Sequence, residues 1–183
     1  MPGLKAILAL TRQLTALHRE LQIPASYAVD RKLAPQFEAP AADLVEIGRN
    51  PDGRTVQLIR PAAVAWQRMQ QAAATNGVGL LAISGFRSIE RQAEIIRGKR
   101  ARGQSLAEIL RVTAAPGFSE HHTGRALDLG TAGHVTLEED FAATPAFRWL
   151  EKHAVKFGFT LSYPRDNPHG LNFEPWHWCW QSA

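Results

Sequence analysis

The segment Gly117-Phe-Ser-Glu-His-His-Thr-Gly-Arg-Ala-Leu-Asp-Leu-Gly130 sets His121 and Asp128 on either side of Gly124. Both residue types suit a divalent metal. A catalytic zinc site takes three protein ligands from histidine and carboxylate and keeps a fourth position for water. A third ligand is therefore needed, and the best source is Glu174-Pro175-Trp176-His177. Residues three apart on a regular strand face opposite ways, so Glu174 and His177 converge only if Pro175 marks an edge, a bend or a bulge.

Outward from this segment, Arg125 to Leu129 alternates like a strand, and Pro116-Gly117 breaks the helix before it. That helix opens at Ser105-x-x-Glu108, a capping box, and runs through Val112. Upstream, Val78 to Ile83 reads as a short buried strand leading into Ser84-Gly85-Phe86-Arg87-Ser88, where Ser88 caps a helix carrying Gln92, Ile95 and Ile96. Pro61 suits a first helical position, Val64, Ala65, Met69, Ala72 and Ala73 form its stripe, and Asn76-Gly77 ends it. Leu4, Ile7, Leu8, Thr11, Leu14, Leu17 and Leu21 recur at helical steps. Between these helices, five prolines from Pro24 to Pro61 predict extended segments and turns that wrap the surface. Downstream, Thr144-Pro145 opens a helix that Gly158 ends, Phe159 to Tyr163 reads as a strand, Pro164 to Gly170 as a loop, and Leu171 to Trp180 as a strand. The expected fold class is α+β, with a small antiparallel sheet carrying the site and helices flanking it.

The 183 residues are 45% hydrophobic and 21% charged, which excludes intrinsic disorder and predicts one domain over 1–183: an N-terminal helix and wrapping segment (1–60) and a catalytic core (61–183). No apolar run reaches the roughly 20 residues of a membrane span, because Arg12, His18, Arg19 and Glu20 interrupt the candidate. The same stretch is a poor secretory signal, so cytoplasmic synthesis is expected, with the periplasm or cell wall as the alternative site of action. A lone Cys179 excludes an internal disulfide. The formal charge of +4 suits anionic partners, but the scattered Lys and Arg carry no nucleic-acid motif, and no nucleic-acid partner is expected.

Ser119-x-His121-x-x-Gly124-x-Ala126-x-Asp128 together with Glu174-x-Trp176-His177 resembles the paired signature of the zinc D-alanyl-D-alanine peptidases. These are the VanY-like carboxypeptidases of the wider lysostaphin and hedgehog-domain fold group. Ser84-Gly-Phe-Arg87-Ser88-x-x-x-Gln92 is similar to the family's upstream Arg and Gln segment, so the resemblance spans residues 84 to 177. It implies one zinc ion per chain on His121, Asp128 and His177, with Glu174 as general base. Arg87, between a strand and a helix N-terminus, is the expected stabiliser of the developing negative charge. Ser119 and Gln92 are expected, by resemblance, to hold the substrate's carboxylate or backbone. The implied partner is a peptidoglycan stem peptide or muropeptide, and a monomer suffices. D,D-carboxypeptidase activity leads, and an L,D-carboxypeptidase or an endopeptidase would use the same site. A zinc-stabilised binding module is the rival of another class, and Glu174 speaks against it.

Other residues have plainer readings. His18, His134 and His153 are expected to be structural, and His122 to point away from the site if the chain is locally extended. His169 lies in the loop before the last strand. Cys179 reads as a buried thiol, and Trp178 and Trp180 as a packed core face.

Overall fold

The computed structural model describes residues 4–181. Helix α1 (Leu4–Leu21) stops where Gln22 takes a φ of 60°. Of its stripe, Leu17 and Leu21 are buried with Ile89, Ala93, Ile96 and Ile109, Leu14 packs partly against them, and Thr11 is exposed. The Leu4, Ile7 and Leu8 part lies outside the described side chains. Burying a leucine contributes roughly 1.5–3 kcal/mol, so this small core is enough to dock α1.

The proline-rich stretch holds more structure than its composition suggests. After a single-turn helix α2 (Tyr27–Asp30) comes an antiparallel hairpin, β1 (Leu44–Arg49) and β2 (Thr55–Ile59). Asn50-Pro51-Asp52-Gly53 turns it, with Arg54 N–H donating to Asn50 Oδ1 at 2.9 Å and Gly53 at a φ of 77°. The prolines all fall outside the two strands, which is why their number concealed the hairpin. Nor does this piece simply wrap the surface, because Val56 and Leu58 are buried in the main core.

Helix α3 (Arg60–Thr75) has Pro61 in its first turn and ends at Asn76-Gly77 as expected. Its buried face is Ala62, Ala63, Trp66, Met69 and Ala73, while Val64, expected on the stripe, is 52% exposed. Trp66 has the largest apolar surface on the helix, and its burial sets the rotation. Strand β3 (Leu81–Ser84) is shorter than the expected run and partly exposed, because it is the edge of a four-stranded sheet. Helix α4 (Ile89–Ala101) is capped by Ser88 Oγ, which accepts from Arg91 N–H, and helix α5 (Leu106–Val112) opens with the Ser105/Glu108 capping box.

Strand β4 (Ala126–Gly130) is buried throughout and does not alternate with solvent, because it is central in the sheet. Leu127 and Leu129 enter the main core, which leaves Asp128 on the opposite face. Helix α6 (Pro145–His153), capped by Thr144, passes into a 3-10 turn that Gly158 ends at a φ of 82°. Strands β5 (Phe159–Leu161) and β6 (His177–Trp180) complete the antiparallel order β3-β4-β6-β5. The expected strand from Leu171 forms only in its last four residues. Pro175 has no N–H to give a ladder, and His177 N–H instead closes a turn onto Glu174 O at 3.0 Å. The architecture is α+β, a small antiparallel sheet flanked by helices. Among the described residues no helix is long and apolar enough to cross a membrane.

Candidate metal centre and active site

Strand register builds the centre. In the antiparallel ladder Asp128 of β4 stands directly opposite His177 of β6, where side chains on one face approach within about 5 Å. Asp128 Oδ1 lies 3.0 Å from His177 Nδ1. The third member arrives on a 3-10 turn over Glu120–Thr123, which ends at Gly124 with a φ of 64°. A side chain at Gly124 would press on Leu44 and Ile59, so both the backbone and the hairpin demand glycine there. The turn places His121 Nε2 3.1 Å from Asp128 Oδ2. His121, Asp128 and His177 each offer a ligand atom, all within 4.8 Å of one another, and all three residues are buried.

The remaining ring nitrogens show which atoms are free for an ion. His121 Nδ1 donates to Gly85 O at 2.7 Å, and His177 Nε2 faces Glu120 Oε2 at 2.9 Å. Carbonyl and carboxylate partners of this kind fix the tautomer and aim the other nitrogen at a metal. His121 Nε2 and His177 Nδ1 thus converge with the Asp128 carboxylate, a donor set of two imidazoles and one carboxylate that fits a divalent cation once both nitrogens have given up their protons. Gly85 is held so closely on Gln57 O that any side chain there would overlap it. The β2 backbone therefore positions the carbonyl that orients His121.

Glu120 was not among the residues singled out from sequence. Its only local signal is an acid directly before His121, and its pairing with His177 spans the fold. Burial pushes its carboxyl up, but the hydrogen bond and charge of His177 prevail and hold it at about 2. Burial disfavours the His177 imidazolium, yet Asp128 and Glu120 raise it to about 10. Asp128 is likewise held far below the carboxylate range by His121 and His177 despite its burial.

Glu174 sits beside the triad and outside it. Its Oε2 lies 4.0 Å from His177 Nδ1, and its N–H donates to Tyr163 O. The turn at Pro175 is the bend that its convergence with His177 requires. Burial pushes the Glu174 carboxyl up to about 7, with Asp128 adding to the rise and His177, Arg87 and Lys99 opposing it. Arg87 follows β3; Nη1 donates to Gln92 Oε1 at 2.9 Å, and Nη2 to Ser84 Oγ at 3.0 Å and Asp128 Oδ2 at 3.4 Å. A guanidinium has five donors, so two N–H groups remain for a ligand. Gln92 also gives Nε2 to Ala114 O at 2.7 Å, so its polar ends are engaged in holding Arg87 and the neighbouring loop. Ser119 is buried on the wall of the same cavity, a space of about 470 Å³ that also reaches Lys99, Tyr163 and Glu174.

The other histidines hold structure. His122 points away from the triad and is fully buried; Nδ1 donates to Arg87 O at 2.7 Å and Nε2 accepts Gly117 N–H at 3.1 Å. His18 bonds Pro116 O and His153 stacks on Trp149, while His134 pairs with Asp140. His169 meets Arg31 O, beyond the Tyr163 ring from the site. Cys179 is buried and stands outside the metal-competent cluster, with its thiol pushed up by burial. The N-terminal segment buttresses the ligand loop: Gln36 N–H donates to Gly117 O and Ala39 N–H to His122 O, at 2.7 and 2.8 Å.

Burial holds His122 down at about 4, from an ordinary 6.5. A histidine depressed in the folded state contributes stability that is complete above pH 6.5 and is lost as pH falls through 4. That difference amounts to roughly 3 kcal/mol. Between pH 7 and pH 4 the wild type should therefore lose about that much more unfolding free energy than His122→Gln. Denaturant titrations at both pH values check this, and equal losses would remove His122 as an acid-sensitive group.

The VanY family model, described as D-alanyl-D-alanine carboxypeptidase, matches residues 55–183. This chain belongs to the VanY family. A D-alanyl-D-alanine carboxypeptidase of Enterococcus faecalis is 34% identical over 155 residues, covering 78% of this chain and 54% of the relative. Among solved structures, the LdcB LD-carboxypeptidase superposes with a TM-score of 0.68 at 29% identity, over 81% of this chain and 74% of that one. The zinc complex of a vancomycin-resistance D,D-pentapeptidase, VanY, gives 0.59 at 28% identity, over 81% and 85%. This VanY-family chain spans about half to two-thirds of the length of the curated relatives it matches.

Proposed function

We propose that this VanY-family chain is a zinc-dependent D,D-carboxypeptidase that hydrolyses the terminal D-Ala-D-Ala bond of peptidoglycan stem peptides. The observation that carries the reading is the placement of Glu174: a buried carboxyl 4.0 Å from His177 Nδ1 yet outside the cluster that could hold the ion, with burial pushing it up. A structural metal site has no use for a poised acid beside it, whereas a general base works best with a pKa near the working pH. The zinc bound to a family relative supports the same ion on His121, Asp128 and His177 here.

When bound, zinc supplies Lewis acidity that polarises a carbonyl and acidifies water toward a pKa of ~7. Glu174 takes the proton of the attacking water and passes it to the nitrogen of the departing D-alanine as the C–N bond breaks. Arg87 offers a free N–H to the oxygen that gains negative charge, and Gln92, Ser84 and Asp128 keep the guanidinium from rotating. Ser119 presents its hydroxyl from the cavity wall to the substrate backbone or carboxylate.

The likeness to LdcB favours a second reading, an L,D-carboxypeptidase with the same chemistry on a tetrapeptide stem. Muropeptides with pentapeptide and tetrapeptide stems, incubated with the zinc-loaded protein and followed by mass spectrometry, test both. Chelator-sensitive loss of one alanine from the pentapeptide is expected. Cleavage of the tetrapeptide alone, or inside the stem, would replace the substrate and keep the mechanism. Zinc binding without cleavage of either stem would make the chain a binding module.

A further inference from the structure

The cavity runs from the triad along one face of α4. Gln92, Ile95 and Lys99 recur at helical spacing on that face, and all three line the cavity, as do Thr113 and Ala114. Lys99 is half-buried, and its Nζ donates to Thr113 Oγ1 at 2.7 Å. Among the described residues it makes no ion pair, whereas Arg87, deeper in the same cavity, pairs with Asp128. A neutral hydroxyl offsets little of the cost of taking an ammonium partly out of water, and burial duly pushes the Lys99 pKa down. The hydroxyl does fix the position of Nζ, and two of its three N–H donors stay available. Glu174, on the same cavity, acts on this ammonium at a distance without pairing with it, so the free N–H donors of Lys99 are open to a carboxylate on the molecule that fills the cavity.

We propose that Lys99 binds a carboxylate of the substrate, anchoring the peptide in the cavity while Arg87 serves the reacting carbonyl. The proposal rests on the peptidase reading above and adds to it the residue that selects an anionic substrate. The carboxylate is either the free C-terminus of the departing residue or the side-chain carboxylate of a diamino diacid in the stem. Both ask the same chemistry of Lys99, and the substrates below tell them apart.

The test uses the zinc-loaded full chain, Lys99→Met and Lys99→Arg. Three N-acetylated peptides serve as probes: Lys-D-Ala-D-Ala, its C-terminal amide, and the free acid with meso-diaminopimelate in place of lysine. KM and kcat are measured, or Ki where a peptide is not cut, with zinc content and Tm as folding controls. Lys99→Met is expected to raise KM about tenfold for a carboxylate-bearing peptide, a loss of ~1.4 kcal/mol, while kcat changes less than threefold. Lys99→Arg should recover most of it. A KM rise on both free acids, with the amide bound equally by the wild type and Lys99→Met, assigns the terminal carboxylate. A rise confined to the diaminopimelate peptide assigns the side chain. Unchanged KM on every peptide that the wild type cuts, or an equal rise on the amide, overturns the role of Lys99 alone. A zinc-loaded wild type that neither cuts nor binds any of the three overturns the D,D-carboxypeptidase reading and this proposal with it.

Discussion

Glu174→Gln is expected to lower kcat by about 10²–10⁴, the range of a general acid–base group, while the protein keeps its metal. The substitution preserves shape and removes the only property the mechanism uses, the capacity to take a proton and return it. Metal retention follows from geometry, because the cluster able to hold an ion is His121, Asp128 and His177, and Glu174 stands outside it at 4.0 Å from His177 Nδ1. Its buried surroundings favour the neutral carboxyl, so a neutral amide does not strand a charge that the fold depends on. Single-turnover kinetics beside metal analysis check the two halves separately. Loss of the metal in the variant would make Glu174 a ligand, and unchanged turnover would take the proton transfer away from it.

Asp128→Asn should abolish metal-dependent stabilisation. Asp128 is the one anion among the three candidate ligands, and it faces His121, His177 and Arg87 at once. An amide there turns N–H groups toward lone pairs, withdraws the charge that offsets the cation, and leaves Arg87 buried without its partner. Removing a group that merely hydrogen-bonds a metal ligand weakens a metal site by about 10–100-fold, so the loss of a carboxylate ligand should exceed about 100-fold. At a zinc concentration 100 times the wild-type Kd, binding stabilises the wild type by ~2.7 kcal/mol and a variant weakened 100-fold by only ~0.4 kcal/mol. For a domain of this size the wild-type gain appears as about 5–10 °C in Tm. Calorimetric scans of each protein with and without zinc read the shift within one variant, so the lower stability of the apo variant does not confuse the result. A shift of wild-type size in Asp128→Asn would move the metal elsewhere.

What proved legible in the sequence was local. Ser88 and the Ser105/Glu108 box cap the helices that follow them, Asn76-Gly77 and Gly158 end theirs, and the 3.6-residue period brings out α1, because each depends on residues within a turn or two. Where the reading slipped, the cause was tertiary. The rotation of α3 is set by burial of Trp66, the β1–β2 hairpin is held by the core its Val56 and Leu58 enter, and the exposure of β3 follows from its edge position.

The candidate site divides the same way. Residue types and spacing bring forward His121, Asp128 and the Glu174-to-His177 segment, because metal and proton chemistry draws on few side chains, and the family resemblance is what divides them into ligands and base. Their convergence is a matter of register: Asp128 and His177 are 49 residues apart in the chain and opposite each other in the sheet. A slip of one residue would turn His177 into the core and Trp178 toward the metal. Glu120 behind His177, the Gly85 carbonyl behind His121 and Lys99 on the cavity wall are visible only once distant elements pack. No short-range pattern encodes a contact whose two halves are brought together by burial elsewhere in the fold.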